Sequence, residues 1–404
     1  MANEYIGRLS KIGFGVEATA GTKVSADFWL KKLSGSLQNN TEKLEDNSAL
    51  GVIDPVRERL SIKEWSTFNF EGIMTDDDLG WVLYLLFGTY ESVQAIEITT
   101  PSGGTPARSD VVYVGAVSSE TFIGEIKKIV TATKTFYFVS KTSGTLANGD
   151  TLTDGTWSGA VVLTAYAGVK GHFFSRANTN THPTATVYDY NPVQNKYAAY
   201  GILSSIDVAI ETGGWVTVSG EIMAKKVADD SGETPAYTND NNFRFSDAQV
   251  LLATNEAGLN AATASCLRSF NVSMDKNLEE EQCLGSTDIS AFYNTTFGPP
   301  SGNMVLTYNT ANDVFNDYVE DNTTKAMRVE VIRDDLTALY TSGELFPSIF
   351  WDFGQISFDN TEKSDDNDSI TSLTTNYTAV YDQDTAMTME CLLLSGQSSA
   401  YDGS

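Results

Sequence analysis

The sequence predicts a mainly β protein with one clear α-helix. Threonine, serine, valine, tyrosine and phenylalanine recur along the chain, and long stretches of alanine, leucine, glutamate and lysine are scarce, which favours strands. Apolar and polar residues alternate with a period of two over residues 68–74 and 215–223, which is typical of strands with one buried face. The chain has 404 residues, 41% hydrophobic and 20% charged, so a globular protein of two or three domains is expected.

The net charge of -27 is the strongest feature of the composition. A protein this acidic repels phosphate groups, which argues against tight binding to DNA or to anionic membrane surfaces. The composition allows two interpretations of this charge. The charge either keeps the protein soluble, including in saline surroundings, or forms a surface along which nucleic acid slides without binding.

The first residues, MANEYIGRLSKIG, lack the apolar run of a signal peptide. No segment approaches the apolar length of a membrane span. The three cysteines, Cys266, Cys283 and Cys391, are odd in number and scattered, so a disulfide framework is not expected. These features predict a protein that is made and assembled in a cytoplasm.

The helix is predicted at residues 78–87, directly after the strand at residues 68–74. Asp76, Asp77 and Asp78 offer an N-cap and favourable charge for its first turn, and Gly88 is placed to end it. Before this strand, the polar and charged stretch 39–66 predicts a long loop.

The turn-rich stretch 93–169 has the glycine, threonine and valine content of short strands, so we predict a small all-β domain inserted there. The chain then returns to longer strands. Residues 1–92 and 170–226 are therefore expected to form a first module, and the polar stretch 227–242 a linker to a second module at residues 243–404.

The second half repeats the order of features in the first. Residues 33–39 correspond to 268–274, and each segment is followed by an acidic stretch ending in Leu-Gly, then a strand and an Asp-led helix. Aligning Leu37 with Val272 gives an offset of 272 − 37 = 235, and aligning the helix openers Asp78 and Asp313 gives 313 − 78 = 235. The equal offsets predict a tandem duplication.

Known catalytic patterns are missing from the sequence. Neither a nucleophile elbow, a phosphate loop, a dinucleotide fingerprint nor a zinc-type cysteine–histidine spacing occurs. The two histidines, His172 and His182, lie in a polar segment, where exposed loop positions are expected. The acidic clusters lack the ligand spacing of a calcium loop. We therefore predict no catalytic, cofactor or metal site, and no enzyme.

The order of features resembles the tail tube (major tail) proteins of long-tailed bacteriophages. The resemblance rests on GFGVEATAGT at residues 13–22, Trp29-Leu30, the long charged stretch, and STFNFEGIMTDDDLGWVLYLLFGT at residues 66–89. It is clearest over residues 1–92 and resumes over residues 184–226. It implies a β-sandwich or barrel with a flanking helix, duplicated here, whose rings stack into a hollow tube for passage of the genome.

The family resemblance also implies partners and contacts. The chain would bind copies of itself, as a pseudo-hexameric ring of three chains or, alternatively, a ring of six. It would also meet the tape measure, tail terminator and baseplate or tail-tip proteins, with double-stranded DNA passing through unbound and no membrane contact. The N-terminal segment 1–26 and the long loop 39–66 would contact the neighbouring ring, and the inserted domain would decorate the outside of a non-contractile tail.

Charged residues of the predicted loops are the candidates for contacts between rings. They comprise Glu42, Glu45, Asp46, Arg57, Arg59, Lys63, Glu279, Glu280 and Glu281. An alternative function also fits a β-rich acidic chain, namely a virion decoration or receptor-binding protein that recognises surface glycans. A secreted β-sandwich hydrolase is a weaker alternative, because both a signal peptide and a catalytic constellation are missing from the sequence.

Overall fold

A computed structural model of the chain confirms the mainly β fold. The structure describes all residues except 1–5, 50, 52, 54–55, 57, 100, 116–119, 132–134, 145, 148, 162–169, 239, 340–344, 366–368, 398–399 and 403–404. At residues 130–131, 135–143 and 170 it describes the backbone only.

The elements follow one another in three groups along the chain. The first group is β1 (Lys11–Val16), β2 (Phe28–Trp29), β3 (Lys32–Asp46), β4 (Glu58–Ile73), α1 (Leu79–Phe87) and β5 (Gly88–Glu97). The second is β6 (Val111–Val114), β7 (Phe122–Thr131), β8 (Thr135–Gly144), β9 (Thr151–Thr153), β10 (Ser158–Ala160), β11 (Lys170–Arg176), β12 (Ala185–Tyr190), β13 (Asn195–Glu211), β14 (Thr217–Ala224) and β15 (Ala228–Asp229). The third is β16 (Ala248–Ala253), α2 (Glu256–Leu259), β17 (Ala264–Ser265), β18 (Leu267–Gln282), β19 (Ile289–Phe297), β20 (Ser301–Thr307), α3 (Val314–Glu320), β21 (Lys325–Ile332), β22 (Ser348–Ser364), β23 (Ser372–Val380) and β24 (Met389–Ser395).

Eight long strands form one continuous antiparallel sheet in the order β3-β4-β14-β13-β18-β20-β23-β22. Four of these strands come from each half of the chain, and the β13–β18 pair joins the two halves. One face of the sheet packs on a hydrophobic cluster that includes residues from both halves, such as Phe70, Val208, Met304 and Tyr377. The two halves therefore share a core.

The two halves pair their strands in the same order. The first half runs β2-β1-β12-β13-β14-β4-β3, and the second runs β17-β16-β21-β22-β23-β20-β18.

Register irregularities also recur at matching places, with constant offsets on both sides of each bulge. The bulge at 32/34 matches 267/269 (267 − 32 = 235), the bulge at 203/205 matches 358/360 (358 − 203 = 155), and the bulge at 185/187 matches 325/327 (325 − 185 = 140). Because a bulge bends a strand at a defined position, matching bulges give the two halves the same bends.

The stretch 39–66, expected to be a loop, is mostly strand. It is the outer part of the β3–β4 hairpin, paired from Asn39 opposite Ser66 to Asp46 opposite Glu58, and we name it the first arm. Its charged side chains do not prevent pairing, because both faces of a two-stranded ribbon are solvated. The β18–β19 hairpin forms a second arm at residues 276–297. The arms touch, since Glu64 N–H donates to Thr287 O (3.0 Å) and Gln282 Nε2 donates to Ile62 O (2.6 Å).

Helix α1 ends as the sequence predicts, but it begins differently. Gly88 adopts φ +83°, and its N–H donates to Tyr84 O. The expected side-chain cap is wrong, because Asp78 occupies the N-cap position without bonding a helix N–H. The carboxylates bond the stretch predicted as a linker instead: Asp76 accepts from the N–H and the side-chain amide of Asn241 (2.7 and 2.8 Å), and Asp78 accepts from Thr238 (3.2 Å). Burial raises the pKa of Asp78 to about 6.

The strands between residues 93 and 161 have a hydrophobic cluster of their own, which includes Ile98, Val112, Phe122, Leu152 and Trp157. The polypeptide enters this region along β5, which pairs with both β8 and β11. The region therefore continues the outer strands while burying separate apolar side chains.

A buried ionic network fastens this region to the second half. Asp352 on β22 accepts from Arg328 Nε (2.6 Å) and from Lys128 of β7. Burial raises the pKa of Asp352, but the charges of Arg328 and Lys128 outweigh that effect and hold it well below its usual range. Burial, together with the charge of Arg328, lowers the pKa of Lys128 to about 8. Beside these three residues, Arg108 bonds Glu390 on β24.

We predict that Asp352→Asn strongly destabilises the protein. It leaves two buried cations without their counter-charge, and breaking a buried pair costs about 3–5 kcal/mol. Thermal unfolding and limited proteolysis measure the effect. Asp359→Asn, on the exposed part of the same strand, is the matched control and should unfold close to wild type. Equal unfolding temperatures for the two variants would contradict the importance of this network.

Candidate functional site: a polar sheet face and two charged arms

The face of the eight-stranded sheet opposite the core is polar. On β18, Phe270, Val272 and Met274 are buried, whereas the alternate residues are more exposed. The register carries this alternation onto neighbouring strands, because directly opposed residues share a face. For example, Ser273 lies opposite Asp207, which lies opposite Ser219.

Serine, threonine, asparagine and glutamine dominate the paired positions of this face, and the charges at those positions are all negative. Its hydroxyl and amide positions are Ser34, Ser36, Gln38, Thr67, Asn69, Thr217, Ser219, Ser205, Ser269, Asn271, Ser273, Ser301, Asn303, Thr307, Ser372, Thr374, Asn376, Thr378, Ser357, Asn360 and Ser364. Its carboxylates are Glu71, Asp207, Glu211, Glu221, Asp275, Asp359 and Glu362. Among these described positions there is neither a lysine nor an arginine.

Hydrogen bonds between neighbouring strands hold several of these side chains in place. Ser34 donates to Glu71 (3.0 Å), and Thr378 donates to Asp359 (2.7 Å). The side-chain amides of Asn376 and Asn360 bond at 2.7 Å. A groove of about 490 Å³ crosses the face over β3, β4, β14 and β13. The result is a hydrated surface of short, tethered side chains with fixed negative charges.

The candidate residues for contacts between rings all lie on the two arms, where the structure describes them. In the first arm, Glu45 accepts from Arg59 across the hairpin (2.9 Å). Lys63 lies opposite Glu42 in the register and bonds Glu280 of the second arm. Arg57 lies outside the described residues.

The remaining candidates have partners within the chain or stand exposed. Asp46 accepts from the Ser48 N–H (2.9 Å), and hydrogen bonding by Ser48 lowers the pKa of the Asp46 carboxyl. Glu281 accepts from the Tyr293 hydroxyl (3.1 Å), and Glu279 is exposed opposite Tyr293. The arms therefore bring opposite charges together inside one chain, which the sequence did not predict.

Sequence reasoning also missed the polar face. Its signal was present, since Ser269, Asn271, Ser273 and Asp275 alternate with the apolar residues of β18. The period of two shows which residues are polar-facing within one strand. It does not show that eight such strands lie side by side, because strand order depends on long-range pairing.

The two histidines are buried, which corrects the expectation of exposed loop positions. His172 lies on β11 with Nδ1 3.0 Å from the Tyr90 hydroxyl, and His182 Nε2 is 3.2 Å from the Asn294 amide. Burial, together with the charge of Lys276, lowers the pKa of His182 to about 4. Both imidazoles serve packing and hydrogen bonding.

Within the described ranges, no group of three or more histidine, cysteine, aspartate or glutamate side chains is placed to hold a metal ion. Among the helices of the described part of the chain, none has the length and apolar character needed to cross a membrane.

Comparison with known proteins adds one positive finding. No curated protein sequence matches the chain. A family model described as phage tail tube protein matches residues 7–379, which is nearly the whole chain and includes both arms and every named position of the polar face. The resemblance noted in the sequence is thereby confirmed, and the chain belongs to the phage tail tube protein family.

Proposed function

We propose that the chain is a non-enzymatic structural subunit whose rings stack into a hollow tail tube, with the polar sheet face lining the channel. The polar face carries this proposal. It is the large surface of the sheet that is opposite the core, and its charged positions are carboxylates without a cation among them.

The chemistry of the face suits passage of DNA. Contacts between lysine or arginine and phosphate bind DNA strongly, and many such contacts in a channel would stall a moving duplex. Fixed carboxylates repel the phosphates, and short hydroxyl and amide side chains keep water at the wall. The alternating order along each strand places the apolar residues in the core and leaves this wall polar.

The matching pairing order and bulges support two tube modules in one chain, with the region between residues 93 and 169 as an added outer domain. Three chains then give a ring of pseudo-sixfold symmetry, with six chains as the alternative. Eight strands from each of three chains make 3 × 8 = 24 strands. A closed sheet of that size is roughly 40 Å or more across between backbones, wide enough for a DNA duplex.

The arms and the N-terminal segment 1–26 are the parts we assign to contacts between stacked rings. Tape measure, tail terminator and baseplate or tail-tip proteins are the expected further partners, with assembly in the host cytoplasm and a non-contractile tail. The glycan-binding alternative is less well supported, because the family match covers nearly the whole chain.

The proposal predicts that concentrated purified protein assembles into rings and hollow tubes. Negative-stain electron microscopy shows this directly, and averaged end views count the chains per ring. A baseplate-containing lysate is added as a nucleator, since tubes need a starting surface. Compact monomers even with this lysate would contradict the proposed function.

Reversing channel charges should slow genome release. We expect virions carrying Glu71→Lys, Asp207→Lys and Glu221→Lys to eject DNA at least tenfold more slowly at low salt, with recovery as salt screens the new contacts. The rate of DNA release from purified virions measures this. The control carries the same charge change away from the sheet face, with Glu320→Lys, Asp321→Lys and Asp334→Lys, and should eject normally. Equal ejection rates for the charge-reversed and control virions would show that the polar face does not line the channel.

Charge reversal in the first arm should separate stacking from ring formation. Arg59→Glu with Lys63→Glu places like charges beside Glu45 and Glu280, so the arms repel each other and lose their shape. We expect rings without tubes in electron micrographs. Arg268→Glu with Lys325→Glu, which reverses one exposed and one half-buried cation off the arms, should leave tubes intact. Normal tubes from the arm variant would exclude these residues from ring stacking.

A further inference from the structure

The eight-stranded sheet ends in two edges whose backbones are paired on one side only. In the described part of the chain, β3 pairs with β4 and with no other strand, which leaves the outer side of residues 34–40 open. At the other end, β22 pairs with β23 over residues 355–364, and its opposite side is covered by β21 only as far as Ile356. Open edges of this length are sites where another strand adds.

Inside the chain, two strands that correspond to these two edges already pair with each other. The pair β13–β18 joins the halves with Ser205 opposite Asp275, Asp207 opposite Ser273 and Ala209 opposite Asn271. This pair is antiparallel, and it carries the sheet from the first half into the second. We name it the internal seam.

Each open edge is the counterpart of one strand of the internal seam. The matching bulges relate each residue of β3 to the residue of β18 whose number is 235 higher. They relate each residue of β13 to the residue of β22 whose number is 155 higher. The end of β13 that meets β18 therefore corresponds to the open part of β22, and the side of β18 that meets β13 corresponds to the open side of β3.

We propose that β22 of one chain pairs with β3 of the next in the register of the internal seam. Transferring the seam gives 205 + 155 = 360 opposite 275 − 235 = 40, which pairs Asn360 with Asn40. The same shift pairs Glu362 with Gln38 and Ser364 with Ser36. The partner is a second copy of this chain, joined head to tail so that successive copies close into a ring.

The polarity of the two edges argues against a register shifted by one residue. Gln38 and Ser36 belong to the polar face through their pairing with Thr67 and Asn69, and Glu362 belongs to it through Thr374. The transferred register therefore joins polar face to polar face. A slip of one residue would turn every side chain of the added strand to the wrong side.

This inference rests on the proposed ring, and it specifies how the ring closes. The junction needs no reshaping of either chain, because both edges already have strand conformation. Its main-chain hydrogen bonds make the wall of the channel continuous from chain to chain, as the internal seam does within a chain.

Cysteine cross-linking tests the register. In a background with Cys266→Ser and Cys283→Ser, which removes the two exposed thiols, Gln38→Cys with Glu362→Cys places directly opposed cysteines about 5 Å apart between Cα atoms, within disulfide range. We expect oxidation of assembled protein to give covalent oligomers on a non-reducing gel. Reduction should return single chains, and electron microscopy of the reduced sample confirms that the variant assembles.

Two control pairs of cysteine substitutions show what in-register and out-of-register cross-linking look like on the gel. Asp207→Cys with Ser273→Cys occupies the equivalent position of the internal seam, so it should form a disulfide within one chain and leave it monomeric on the gel. Gln38→Cys with Thr361→Cys is one residue out of register, with the second cysteine on the opposite face, and should give at most a tenth of the oligomer yield.

Assembled particles without cross-links, or equal yields from the in-register and out-of-register pairs, would overturn the proposed junction while leaving the tube function standing. Protein that forms no rings or tubes and no cross-links would overturn both.

Discussion

The structure depends on one antiparallel sheet that runs unbroken through both halves of the chain. Where the eight strands pair with one another outside the two arms, their residues alternate between the shared hydrophobic core and the polar surface, and the pairing between β13 and β18 keeps this alternation in phase between the two halves. Burial of apolar side chains on one face stabilises the sheet, and the same burial fixes which side chains remain on the other face. The composition of the polar surface is thus a consequence of how the core is built.

This constraint explains why the total charge of -27 says less than its placement. Acidic residues also occupy the arms, where Glu45 and Glu280 bond cations of the same chain, and the buried network, where Asp352 neutralises two cations. Those carboxylates stabilise the fold. Within the part of the chain that the structure describes, the carboxylates of the sheet face form no salt bridge. Apart from Asp275, which interacts with the charge of Arg176, their field extends into solvent, where it can act on a passing polyanion.

Local patterns in the sequence predict the local parts of this structure well. The alternation around Phe68 and Phe70 marks β4, the stop at Gly88 marks the end of α1, and the offset of 235 relates β3 to β18. The first arm was not predicted as strand, because a ribbon solvated on both faces has charged residues throughout, and such a composition is typical of a loop. The buried positions of His172, Lys128 and Asp352 were out of reach, since each depends on a partner far away in sequence. The polar face is intermediate: the period of two within each strand is local and predictable, whereas the order of the strands depends on long-range pairing and is not.

The two-residue period of the sheet also limits how such a chain can change length during evolution. One residue gained or lost within β3, β13, β18 or β22 would exchange the core and solvent faces over the rest of that strand, unless a bulge nearby absorbed it. The two halves follow this rule, since they keep three bulges at matching places, and among the described residues the strands β6 to β10 of the first half have no counterpart in the second. Turns and such outer regions are therefore where relatives of this chain should differ in length.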